Sequence, residues 1–208
     1  MATENIKLNF INKSADTNNS SVVIYQKNVA ESFDEIAVAW KVIENCGRMD
    51  NHPFLYPMKF EVCSSDSYGN FTPKMTAFEG QAYEMIKNTS GDVLKLAETP
   101  ATSPTEVEIQ NNLLSGSING TIAKDGRTLA IKTNIVPGEK AVFQFHPTIW
   151  IGVVSQITEG QVMNSAIIQK VNTELPLYGL SSADIVMTGG GSGKTASSFK
   201  FHLENQNK

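Results

Sequence analysis

Residues 117–135 read "SINGTIAKDGRTLAIKTNI", and the dipeptide Asp125-Gly126 at their centre decides the fold class. Ile118 and Ile122 alternate with other residues on one side of it, and Leu129, Ile131 and Ile135 do so on the other. Period-two alternation places every second side chain on one face of a strand. A two-residue connection between such strands needs positive φ at both central positions, which Asp and Gly tolerate best. The stretch therefore predicts a β-hairpin closed by a type I′ turn.

The same texture continues outward. Downstream, Pro137-Gly138 supplies the fixed φ and the left-handed position of a type II turn, leading into "KAVFQF" and, after His146-Pro147, "TIWIGVVSQ". Three turn-linked strands in succession predict a meander. Upstream, "QAYEMIKNTSGDVLKLAE" predicts a second hairpin around Asn88–Gly91, followed by a proline-bearing loop at Thr99–Thr105. Near the start, "IKLNFIN" sets Ile6, Leu8 and Phe10 on one face and "SVVIYQKN" comes after a polar loop, predicting a hairpin or two strands in facing sheets. "IAVAWKVIEN" (36–45) reads as one strand with a buried face, with a helix as the alternative. Residues 160–182 fit a strand pair or a short helix equally well, and no internal repeat is evident. The sum is an all-β chain, an antiparallel β-sandwich or barrel-like fold with a hairpin meander, in a single domain spanning 1–208.

Composition narrows the function classes. The 208 residues hold 17 basic and 21 acidic side chains, for a formal net charge of -4, and Arg48 and Arg127 are the only arginines. Phosphate-reading guanidinium groups are thus scarce, which argues against nucleic acid as a partner. No run approaches the roughly 18 to 20 apolar residues of a membrane helix, and "MATENIKLNF" lacks the blocks of a signal peptide. The expectation is a chain without a membrane span, cytoplasmic or exported without a recognisable signal peptide. Cys46 and Cys63 fit neither a metal knuckle nor a redox pair and are expected as buried free thiols, a disulfide being the rival.

"TGGGSGKT" (188–195) looks like a phosphate-binding loop and fails as one. The motif GxxxxGK[ST] needs glycine where Thr188 stands, and a helix must come next to present its N–H groups to the phosphates. The residues beyond Thr195 are instead "ASSFKFHLENQNK", with Phe199, Phe201 and Leu203 at strand period. The glycines are expected to bridge two paired strands, and no cofactor is expected.

Other chemistry is thinly marked. No GxSxG occurs, and neither cysteine sits in the signature of an activated thiolate. Asp16, Asn18 and Asn19 could offer oxygens to calcium but lack the spaced acids of a calcium loop, so a solvated turn is expected. Sequon-like triplets begin at Asn12, Asn18, Asn19, Asn70, Asn88 and Asn119, as polar turns produce by chance. The metal candidates are His52, His146 and His202, none at motif spacing, with an acid such as Glu204. Trp40 and Trp150 lie in apolar strands and read as core, with an exposed sugar-stacking platform as the alternative.

Taken together, "LNFINKSADTNNSSVVIYQKN", "AVAWKVIENCG", "FHPTIWIGVVSQITEGQVMNSAII" and "SSADIVMTGGGSG" resemble, across nearly the whole chain, a family of uncharacterised bacterial proteins often labelled aromatic ring-opening dioxygenases. That resemblance implies a non-haem iron held by two histidines and a carboxylate, and it brings no motif that transfers residue by residue. From the residues themselves the leading expectation is a non-enzymatic protein that binds a partner protein or its own copies through sheet edges. The N-terminal strand and the final "SFKFHL" strand are its candidate edges. The alternatives are the metal-dependent dioxygenase and a carbohydrate-binding module.

Overall fold

A computed structural model describes residues 5–17, 20–30 and 35–208, with Glu35 described through its backbone alone. In chain order the strands begin with β1 (Asn5–Asn12), β2 (Ser21–Tyr25), β3 (Glu35–Ala37), β4 (Lys41–Ile43), β5 (Asn51–Pro57) and β6 (Phe60–Asp66). Next come β7 (Met75–Ala77), β8 (Ala82–Asn88), β9 (Gly91–Leu96), β10 (Val107–Asn111), β11 (Ile118–Lys124) and β12 (Arg127–Ile135). The last are β13 (Lys140–Phe143), β14 (Thr148–Val154), β15 (Thr173–Pro176), β16 (Ser182–Gly190) and β17 (Ser197–Asn207). A short helix, α1 (Ser165–Lys170), lies between β14 and β15. The chain is all-β, and none of its described helices is long and apolar enough to cross a membrane.

The chain forms two compact units. One combines residues 1–26, 38–58 and 147–208, and the other residues 27–37 and 59–146. The first holds two four-stranded sheets, ordered β17-β16-β1-β5 and β15-β14-β2-β4. Phe10, Ile24, Trp40, Tyr56, Ile151 and Ile185 are among its buried side chains. Trp40 meets Phe54 and Tyr56 edge-on, with ring centroids 6.3 and 5.9 Å away. The second unit holds a four-stranded sheet, β13-β10-β8-β9, and a five-stranded one, β3-β12-β11-β6-β7, around residues such as Tyr83, Ile109, Ile122, Leu129 and Phe143. Pairing of these strands is antiparallel except for β1 with β16 and β8 with β10.

Local expectations hold where a tight turn sets them. Asp125 and Gly126 have φ of 53° and 72°, and Lys124 pairs with Arg127 across them, as a type I′ hairpin requires. The hairpin at Asn88–Gly91 also forms, and Thr99–Thr105 is a loop. Glu108 explains why that loop is ordered, since its buried carboxylate accepts from the Thr102 N–H and from Lys140 Nζ, both at 2.8 Å.

Longer-range expectations need correction. The meander stops after one hairpin: β13 crosses to pair with β10, and β14 joins β2 and β15 in the other unit's sheet. β14 has buried residues on both faces and loses more water inside that sheet, between β2 and β15, than it would at the edge of a meander. Residues 36–45 are two short strands, β3 and β4, in different units. The first two strands form no hairpin and lie in separate sheets. Within 160–182 the helix reading is realised as α1, and the strand that follows, β15, pairs with β14 and not with a second strand of the stretch. Cys46 and Cys63 are buried free thiols, and burial pushes both up from the ordinary thiol range.

Candidate functional site

β17 differs from the other strands in its place in the sheet. It pairs only with β16 and forms one end of its sheet, with 11 residues. β5, at the other end, carries Pro53 and Pro57, which supply no N–H to an incoming strand. The remaining terminal strands of the four sheets have six residues or fewer. Short and proline-bearing edges resist strand addition, whereas a long one invites it. The N-terminal strand is no edge, and here the expectation is corrected: β1 lies between β16 and β5, because its Ile6, Leu8 and Phe10 are buried to within 3%.

The glycine run shapes this edge and leads into no phosphate-gripping helix. After β16 the chain makes a single 3-10 turn at Gly193–Thr195 and enters β17 at Ser197. Gly189 has φ of 87°, and a Cβ there would sit 2.1 Å from the Ser198 carbonyl oxygen. Gly190, bridged to Ala15, would press a Cβ to 2.7 Å from the Phe199 ring. Glycine is therefore required for close backbone approach.

On the solvent side of β17, Lys200, His202 and Glu204 lie in line while Phe201 and Leu203 turn inward. Lys13 Nζ donates to Glu204 Oε2 at 2.9 Å, and His202 Nε2 lies 2.9 Å from Glu204 Oε1. These two partners, Lys13 first, hold the Glu204 carboxyl below the usual carboxylate range. Further along the same pair of strands, Asp184 accepts from Asn205 Nδ2 at 2.6 Å and Asn9 Nδ2 at 3.2 Å. The face is polar and its charges are shared among neighbours.

His52 and His202 are not placed to share a metal ion. His52 pairs with Phe10 and His202 with Val186, whose row runs on through Ile11, so the two imidazoles occupy adjacent rows pointing to opposite faces. Three strand spacings separate β5 from β17, about 14 Å at ~4.8 Å each. Two nitrogens on one zinc or iron lie within about 4 Å of each other. His146 stands in the irregular chain after β13. Among the described residues no group of three or more His, Cys, Asp or Glu side chains is placed to hold a metal ion. Of the calcium candidates, Asp16 accepts from the Ser20 N–H at 2.8 Å, while Asn18 and Asn19 lie outside the described residues.

A second surface has only a faint signature in the sequence. Asp66 ties the β6–β7 connection by accepting from the N–H groups of Tyr68 and Asn70, both at 2.9 Å, which presents Tyr68 and Phe71 at 90% and 71% exposure. Phe71 borders a groove of about 450 Å³ with Pro73, Met85, Leu94, Asp66 and Asp92. The available signal is two aromatics inside a turn-forming run, "SDSYGNFTP". Trp40, by contrast, is core, and Trp150 is half-buried against Tyr25. No protein-family model, curated protein or solved structure matches this chain.

Proposed function

We propose that this is a non-enzymatic binding protein that accepts an extended strand along β17. The observation that carries the reading is that β17, the longest of the terminal strands, presents a proline-free edge whose uninterrupted run is Lys200–Glu204, beside edges that are short or carry proline. Strand addition draws affinity from main-chain hydrogen bonds, so such a site needs no deep pocket and no catalytic group. Lys200, His202 and Glu204 would flank the added strand on its solvent side and set the choice of sequence.

The test uses proline as a local block. Alternate residues of an edge strand send their N–H outward, so of His202→Pro and Leu203→Pro one interrupts the free edge and the other the β16 ladder. The variant that keeps cooperative thermal unfolding is the edge-blocked one. Twelve-residue peptides selected from a displayed random library on the native protein should lose binding to that variant. Selection of no peptide, or of peptides that bind both proteins equally, refutes the reading.

A carbohydrate-binding role is a second reading, favoured by Phe71, exposed beside the carboxylates of Asp66 and Asp92 in the groove, with exposed Tyr68 on the same turn. Exposed rings over polar acceptors suit sugar stacking. A glycan array probed with native protein and with Phe71→Ala tests it: signal that disappears in the variant supports it, and a blank array ends it. The dioxygenase implied by resemblance would need ligands other than the histidine pair His52 and His202.

A further inference from the structure

Two irregularities divide β17. Between Thr188↔Lys200 and Gly190↔Ser197 two steps on β16 match three on β17, and the same happens between Asp184↔Glu204 and Ser182↔Asn207. Each mismatch is a β-bulge with its extra residue on β17. The second contains Asn205, whose φ is 48°. Between the bulges lies one regular run, Lys200–Glu204, and its midpoint is His202.

We infer that the strand accepted by β17 is the β17 of a second copy of this chain, antiparallel and in the register that places His202 on the two-fold axis. The inference rests on the strand-acceptor reading above and supplies the identity of the strand. In an antiparallel homodimer centred on residue 202, positions summing to 404 face each other. Lys200 then lies opposite Glu204 of the second copy, twice, and Phe201 opposite Leu203. The bulged residues meet bulged residues, 198 opposite 206 and 199 opposite 205, so neither irregularity intrudes on the other copy's regular run. Facing positions in this register also share a side of the sheet, solvent side with solvent side. A centre at residue 201 sets Lys200 against His202, and a centre at 203 sets regular residues against bulged ones.

Charge makes the match specific. Glu204 already receives Lys13 on its own sheet, and Lys200 of the second copy would approach from the other side, leaving an anion between two cations. Lys200 is exposed, so little is lost in bringing it there. An isologous contact of this kind closes on itself, and the bulges end the free edge on both sides, giving dimers and not filaments.

Sedimentation of the full chain across a concentration series, combined with hydrogen exchange, tests the inference. Native protein should dimerise, with the outward-facing amides among residues 200–204 gaining protection as concentration rises. Lys200→Glu alone or Glu204→Lys alone turns both attractive pairs into repulsive ones and should weaken dimerisation about tenfold or more. The double variant K200E/E204K restores opposite charges across the axis and, with Lys13 now facing a lysine on its own sheet, should associate more tightly than either single variant but less tightly than native protein. A monomer at every concentration overturns the inference and leaves the strand-acceptor reading to its own peptide test. A dimer whose 200–204 amides stay unprotected forms through another surface, and it overturns the inference while again leaving the strand-acceptor reading to the peptide test. Protection of those amides without rescue by the double variant overturns the register.

Discussion

Lys124 is the residue whose environment departs furthest from its type. It occupies an inward position on β11, in step with Ile118, Gly120 and Ile122, and is 2% exposed. Its Nζ lies 4.5 Å from the centre of the Phe60 ring. Burial depresses its pKa to about 7, against an opposing pull from Glu79. An unfolded lysine titrates near 10.4, so between about pH 7 and pH 10 the unfolded chain binds a proton that the folded chain does not. Stability should therefore rise with pH across that window, by up to about 1.4 kcal/mol per unit. Lys124→Met, close in shape, should flatten the slope; urea unfolding at several pH values checks it, and an equal slope in both proteins would refute the assignment. This position is half legible in the sequence. Its parity with Ile118 and Ile122 marks it as inward, while its place beside a tight turn suggests solvent.

At the scale of elements, the β16–β17 hairpin shows what turn chemistry determines. Gly189→Ala drives a methyl group into the Ser198 backbone, which cannot retreat without breaking the pairing of two strands, and should cost about 3 kcal/mol. Gly193 also has positive φ, 63°, yet a methyl group there meets open space, so Gly193→Ala should cost only about 1 kcal/mol. Thermal unfolding of the two variants compares them directly, and equal losses would show that close approach contributes nothing. Turns of this kind are readable because their signal lies in adjacent residues, as at Asp125-Gly126 and Asn88–Gly91. Strand partners are not. Pro137-Gly138 announces a reversal but not that β13 leaves β12 for β10, a choice made by buried faces far apart in the chain.

For the molecule as a whole, the division into two units leaves no mark in composition, because the chain passes between them inside apolar stretches such as 36–45. The final strand is legible as an edge candidate, yet the same logic points wrongly to β1, since position in the sequence says nothing about position in a sheet. β1 and β16 join residues 175 positions apart, as Asn9 and Asp184 show, whereas the unit of residues 27–37 and 59–146 has no part beyond 146. Closing the longer loop costs more chain entropy, so pulse-labelled exchange during refolding should protect β11 and β12 before β1. Simultaneous protection would contradict that order. In the cell, a ribosome that pauses before codon 182 holds a nascent chain whose first strand is bare along the flank that β16 later fills. That interval is when a chaperone has most to shield.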